Sequence, residues 1–234
     1  MIKAMILCAG FGKRLQPLTF QRPKPLLEID NHTLLSNTIN FLEKFGIKQV
    51  VINIHYLGEQ IVDYIKKKNL SLDITIVKEE EKILDTGGGV LNAIEHFSKE
   101  PFLIINPDTI WNSSYLKELK IMHENFISNK KSKCLILVVD KSKSFDEKLK
   151  GDFNLKNNLI DRKDKNNLKY IYTGLQIMNP EVFSKFNEKV FSINKVWDKL
   201  IDNNELNGME SDINFLHISS LDIYKKLSEK KSKH

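Results

Sequence analysis

Apolar residues in this chain arrive in short unbroken runs, separated by stretches with helical spacing. Ala4 to Ala9, Val50 to Asn53, Ile74 to Val77, Phe102 to Ile105 and Cys134 to Val139 are runs of this kind. Such runs, closed by turn residues, predict strands buried on both faces. Between them, Leu35, Ile39, Leu42 and Phe45 recur at helical spacing and predict a helix over Leu34 to Phe45, ended by Gly46. Glu59 to Lys67 predicts a helix with Ile61, Tyr64 and Ile65 inward; Gly89 to Phe97 and Tyr115 to Asn129 are predicted helical too. This alternation, with short connections, implies an α/β fold: a Rossmann-like, mostly parallel sheet with right-handed crossovers and helices on both faces.

Beyond Val139 the texture changes. Asp140 to Lys169 is rich in Lys, Asn and Asp with brief apolar pairs, and Asn157-Asn158 predicts a hairpin turn projecting from the sheet. Tyr170 to Met178 returns to strand character. Pro180 to Phe186 and Asn194 to Asn203 are predicted helices, Phe215 to Ile218 a last strand, and Leu221 to Glu229 a last helix before a solvated tail over 230–234. The 234 residues, 41% of them hydrophobic, are enough for one α/β domain with a small β-hairpin lobe. No apolar run reaches the roughly eighteen residues a membrane span needs. Cys8 and Cys134 both fall in predicted core strands, as buried thiols of a reducing compartment do, and the cytoplasm is the expected location. The net charge of +6 is spread among interleaved lysines and acids without basic-aromatic motifs, which argues against a nucleic-acid partner.

One stretch of charge is not diffuse. Lys3 to Leu27 sets a buried strand against Gly10 and Gly12, followed closely by Lys13, Arg14, Arg22 and Lys24. A glycine turn leaving a strand exposes backbone N–H groups, and cations beside it complete a polyphosphate site. Only three arginines occur, Arg14, Arg22 and Arg162, so two of them lie here. Arginine grips phosphate oxygens with a planar fork that lysine lacks. The loop is neither a P-loop, since no Ser or Thr follows Lys13, nor a dinucleotide fingerprint, since Leu15 stands where a third glycine belongs.

Two further features fit a phosphate site. Asp85-Thr86-Gly87-Gly88-Gly89 precedes a predicted helix, and three glycines in a row serve either a bare turn or a backbone surface for a flat or anionic ligand. Asp108 follows a buried strand in I-I-N-P-D-T, where it either caps the next helix or holds Mg²⁺ beside the phosphates.

G-F-G-K-R-L followed by P-K-P-L-L resembles the signature of the sugar-1-phosphate nucleotidylyltransferases, G-x-G-S/T-R-L/M with a later K-P. The resemblance runs through T-G-G-G, Asp108, G-D-F, T-G-L and a late motif in order, and is nearest the muramate and mannose branches. It implies that Ala9, Gly10, Gly12, Lys13 and Arg14 hold the triphosphate, that Glu80, Thr86, Gly87 and Gly88 border base and ribose, and that Lys24 contacts reacting phosphates. It further implies that Gly89, Asn106, Asp152, Thr173 and Gly174 line the sugar-phosphate pocket, and that Asp108 binds Mg²⁺, with Mn²⁺ an alternative. The late motif of the family carries a second metal aspartate. Here His217 stands in its place, and Pro107 replaces a small residue. His217 is then a metal ligand, a phosphate contact or a structural residue.

The implied activity joins a nucleoside triphosphate, UTP or GTP, to a sugar 1-phosphate with release of pyrophosphate. N-acetylmuramate-1-phosphate uridylyltransferase is the first expectation and mannose-1-phosphate guanylyltransferase the second, with a nucleotide-sugar sensor lacking turnover as the contrasting class. The division expected is a nucleotide part to about residue 110 and a sugar-phosphate part over 111–229 of a monomer or small homo-oligomer.

Overall fold

The computed structural model describes residues 2–231. In chain order the elements are β1 (Lys3–Leu7), β2 (Glu28–Ile29), β3 (His32–Thr33), α1 (Leu34–Phe45), β4 (Gln49–Ile54), α2 (Gly58–Lys66), β5 (Asp73–Lys78), α3 (Asp85–Asn92) and β6 (Phe102–Ile105). There follow α4 (Ser114–Ser128), β7 (Cys134–Asp140), β8 (Asn154–Lys156), β9 (Leu159–Asp161), β10 (Tyr170–Met178), α5 (Asn194–Asp202), β11 (Leu206–Ser211) and α6 (Leu221–Lys231). Nine strands form one sheet in the order β5-β4-β1-β6-β10-β7-β11-β9-β8, and β2 and β3 form a separate small hairpin.

The pairings β4–β5, β1–β4, β1–β6 and β7–β11 are parallel, and β10 is antiparallel to both its neighbours. The central strands other than β10 therefore all run one way, as the apolar runs require: each strand buries both faces. In β1 the alternation is explicit. Ala4 and Ile6 face the core under α1, α2 and α4, while Met5 faces the core under α3 and α5. A third cluster, with Leu15, Leu34 and Ile218, lies under α6.

Local signals set the ends of α1. Thr33 accepts the Ser36 N–H as N-cap, and Gly46 ends the helix at φ +96°. The β8–β9 turn places Asn157 and Asn158 at φ 51° and 61°, the left-handed pair a tight hairpin needs.

Four expectations need correction. Phe215 to Ile218 forms only isolated bridges, Ser144 to Phe215 and Thr109 to His217, whereas the strand beside β7 is Leu206–Ser211. L-N-G-M-E-S hides its strand character because Gly208 lies where a Cβ would strike Ile160 Cδ1 at 2.4 Å. Pro180 to Phe186 is a single 3-10 turn over Pro180–Phe183. The helix expected from Gly89 begins at Asp85, so the glycines lie inside it. The tail expected over 230–234 begins within α6, and 232–234 lie outside the described residues.

Asn37 of α1 clamps the segment after β6. Its Oδ1 accepts the Trp111 N–H at 2.9 Å and its Nδ2 donates to the Trp111 carbonyl at 3.0 Å, beneath a buried Trp111 ring. Asn37→Ala strands both backbone groups, and a urea melt should show a loss of about 2 kcal/mol.

Candidate active site

The cleft opens at the carboxyl ends of β4, β1 and β6, where ligands of parallel sheets bind. It has a volume of about 450 Å³, and its wall includes Ala9, Gly10, Gly12, Lys13, Arg14, Lys24, Thr86, Asn106 and Asp108. Those nine expected residues are thus brought together.

Each is placed by a local device. The Cys8 N–H donates to Asn53 Oδ1 at 3.0 Å, fixing the start of the loop to the end of β4. Gly12 turns at φ +62° with its carbonyl accepting from Leu15 N and Thr19 Oγ1, each at 2.9 Å. One 3-10 turn over Lys13–Leu15 follows, leaving Lys13 and Arg14 exposed at the cleft while Leu15 anchors in the core. A second turn, Lys24–Leu26, carries Lys24 inward. On the far wall, Asn106 N donates to the Gly174 carbonyl at 2.8 Å, and the Ile110 and Ile218 N–H groups bond Leu216 and Asp108 carbonyls, each at 2.8 Å. That ladder puts His217 opposite Asp108.

At the centre, Lys24 Nζ lies 2.5 Å and His217 Nε2 3.2 Å from Asp108 Oδ2. The side chains of Lys24, Asp108 and His217 are only 15–19% exposed. Burial opposes ionisation of Asp108, yet Lys24 and His217 overcome it and hold the carboxyl well below the usual carboxylate range. Asp108 Oδ1 and His217 Nδ1 are buried without a partner. Such groups are expected to have one in the working state. An oxygen-binding cation fits there, but no cluster of three or more metal-ligating side chains occurs among the described residues. Phosphate oxygens and water would have to complete its shell. Burial, and then Asp108, pushes the Cys8 thiol far up, so it is no nucleophile at neutral pH.

Other expected residues lie elsewhere. Gly87, Gly88 and Gly89 are buried against protein: added Cβ atoms would strike Phe191 Cε2 at 2.5 Å, the Lys189 carbonyl at 2.2 Å and Glu79 Oε1 at 2.7 Å. The side-chain-free surface expected for a ligand is used by the chain itself. Glu80 points outward beside Lys78, off the cleft wall. Its neighbour Glu79 is the buried acid, accepting from Asn53 Nδ2 and Leu84 N, each at 2.7 Å. Thr173 spends its hydroxyl on the Leu137 carbonyl, and Gly174, at φ +93°, packs on Asn106, so both support the far wall from beneath. Asp152 accepts the Tyr172 N–H at 2.9 Å and lines a different cleft, of about 530 Å³, with Arg162, Lys163 and Lys165. Arg22 turns away to pair with Glu28 at 3.2 Å.

Asn53, Ile83 and Asp85 also line the main cleft and were not expected there. Asn53 carries a readable signal, a carboxamide in the apolar run V-I-N-I, and Asp85 opens the D-T-G-G-G run already marked as a ligand surface; Ile83 carries none.

A family model described as nucleotidyl transferase matches residues 3–148, from β1 through the segment after β7. The chain belongs to this family. It is similar to the N-acetylmuramate alpha-1-phosphate uridylyltransferase of Caulobacter vibrioides, 28% identical over 84% of this chain and 83% of that protein. It is also similar to mannose-1-phosphate guanylyltransferase 1 of Arabidopsis thaliana, 31% identical over 83% of this chain, which spans 54% of that relative. Among solved structures, a putative glucose-1-phosphate thymidylyltransferase from Bacillus anthracis superposes with a TM-score of 0.79 at 17% identity, covering 100% of this chain and 96% of that one. HddC from Yersinia pseudotuberculosis complexed with GMP-PN superposes with a TM-score of 0.75 at 22% identity, covering 98% and 99%. These two likenesses establish the fold. The chain is a nucleotidyltransferase, and no helix among its described residues is long and apolar enough to cross a membrane.

Two glycines separate the cleft from its scaffold. A Cβ on Gly10 meets nothing within 4 Å. Gly10→Ala should keep its stability within about 1 kcal/mol yet weaken nucleotide binding at least ~10-fold in calorimetry. Gly88→Ala, whose Cβ would strike the Lys189 carbonyl, should instead lose about 3 kcal/mol in a denaturant melt.

Proposed function

We propose that this nucleotidyltransferase joins a nucleoside triphosphate to a sugar 1-phosphate, with UTP and N-acetylmuramate 1-phosphate as its substrates. The observation that carries the reading is the Lys24–Asp108–His217 group at the back of a cleft whose rim bears Lys13 and Arg14. The choice of substrates is supported by the similarity to the Caulobacter uridylyltransferase, which spans most of both chains. Mannose 1-phosphate with GTP is the second reading, favoured by the 31% identity to the Arabidopsis guanylyltransferase.

The reaction asks little of the protein as acid or base. An oxygen of the sugar phosphate, anionic at neutral pH, attacks the α-phosphorus of the triphosphate; the bond from that phosphorus to the bridging oxygen breaks, and pyrophosphate leaves with the electron pair. Alignment and charge neutralisation are what remains to be supplied. Arg14 and Lys13 would hold the outer phosphates, and the open face of Gly10 would let backbone approach them. Lys24, held beside Asp108, would also donate to phosphate oxygens, since its ammonium carries three donors. Asp108 would hold Mg²⁺, which when bound would supply neutralisation of the negative charge on the phosphates. His217 donates to the same Asp108 oxygen and would keep that carboxylate oriented.

Pyrophosphate release, measured over UTP, GTP, CTP and dTTP against several sugar 1-phosphates with Mg²⁺ or Mn²⁺, tests this directly. Turnover is expected with UTP and N-acetylmuramate 1-phosphate. Asp108→Asn should lower it at least ~1,000-fold while far-UV circular dichroism is preserved. Release from no pair by the intact protein would refute the reading, and GTP with mannose 1-phosphate as the best pair would select the second.

A further inference from the structure

The cleft has two unlike ends. Its floor crosses three neighbouring strands in the order β4, β1, β6, with Asn53 at one side and Asp108 at the other. Strand ends two places apart are separated by roughly 10 Å. Every cation on the wall, Lys13, Arg14 and Lys24, comes from the loop and turns after β1, and Lys24 reaches across to Asp108. The other end is walled by Asn53, Ile83, Asp85 and Thr86 and carries no cation among the described residues. A triphosphate reacting beside Asp108 is repelled by an acid at that second end, which leaves it to the uncharged base.

Most polar side chains at this end are already committed. Asn53 gives its Oδ1 to the Cys8 N–H and its Nδ2 to Glu79. Thr86 Oγ1 accepts from Ile193 N at 2.9 Å and donates to Asp85 Oδ1 at 3.3 Å. Asp85 differs. It is exposed to the cleft, its Oδ1 accepts the Thr86 N–H at 2.6 Å, and its Oδ2 has no partner among the described residues. It also stands at φ +61°, in the left-handed region that Asp enters because its short side chain bonds locally, here to the Thr86 N–H. That bond fixes the carboxylate's direction, with Oδ1 held and Oδ2 open.

We infer that the Asp85 carboxylate reads the Watson–Crick edge of the base, admitting bases that present a ring N–H there and disfavouring those that present a lone pair. The inference rests on the nucleotide-transfer reading above and narrows its nucleotide. An ionised carboxylate only accepts hydrogen bonds. Uracil and thymine offer N3–H, and guanine offers N1–H beside its amino group, donors that the open Oδ2 can accept. Cytosine N3 and adenine N1 turn a lone pair to the same place; their neighbouring amino groups offer a donor, but not without bringing that lone pair against the carboxylate. Asp85 therefore favours UTP, dTTP and GTP over CTP and ATP. Ile83, on the same wall, offers apolar surface for the ring.

Titration calorimetry of the full chain at fixed Mg²⁺, with UTP, GTP, CTP and ATP, tests this on wild type, Asp85→Asn and Asp85→Ala. In the wild type the better of UTP and GTP should bind at least ~10-fold tighter than CTP and ATP, the range expected for one polar contact. Asp85→Asn keeps an oxygen for the Thr86 N–H, so its melting temperature should hold, but its amide can donate to a ring lone pair. The preference over CTP should fall at least ~10-fold in this variant, largely through tighter CTP binding. Asp85→Ala should lose the preference without that gain. An equal preference in all three proteins, or no preference in the wild type, overturns the assignment of Asp85 alone. Failure of the wild type to bind any triphosphate removes the transfer reading as well.

Discussion

A single carboxylate organises this molecule. Asp108 Oδ2 receives Lys24 from a segment 84 residues earlier in the chain and His217 from one far later, all three largely out of water. Gathering charges in a low-dielectric cleft is unfavourable for each alone, and removing one leaves another buried and unpaired. The arrangement therefore requires a rigid surround. The surround is visible: Asn37 clamps Trp111, Trp111 Nε1 donates to the Asn106 carbonyl, and the Gly174 carbonyl holds Asn106 from the other side. What looks like ordinary packing around β6 is the frame that keeps one carboxylate in place.

The same economy explains which residue types matter. Transfer of a nucleotidyl group needs positioned charge more than proton chemistry, and the cleft offers cations, open backbone and one acid. The buried thiols of Cys8 and Cys134 are pushed up by burial and stand outside the chemistry. The glycines divide by purpose. Gly10 leaves space that a ligand can fill, whereas Gly87 to Gly89 let one part of the chain lie against another.

Much of this was legible because it rests on local rules. Buried-strand runs, the capped α1 and the Asn157-Asn158 turn are decided by neighbouring residues, and the structure follows them. The loop from Ala9 to Arg14 with Lys24 was legible from its glycines and cations, although Arg22, equally close in sequence, turns away to Glu28. The failures share a cause: each depends on residues distant in sequence. β11 is a strand because β7 offers it an edge and Ile160 needs the room at Gly208. Nothing within E-E-E tells that Glu79 turns inward and Glu80 outward; the amide of Asn53 decides it. Thr173 and Gly174 are polar or backbone-exposing types that a site could use, but the sheet bulge consumes them.

One seam ties the cleft to the later half of the chain. Phe191 N donates to the Leu84 carbonyl, Gly88 N to the Phe191 carbonyl, and Ile193 N to Thr86 Oγ1. Residues 84–88, which begin inside the cleft, are thereby laced to 191–193, which lead into α5. The lacing makes the start of α3 and the start of α5 move as one piece. A substitution near Phe191, remote from any phosphate, will therefore register as a change in nucleotide affinity.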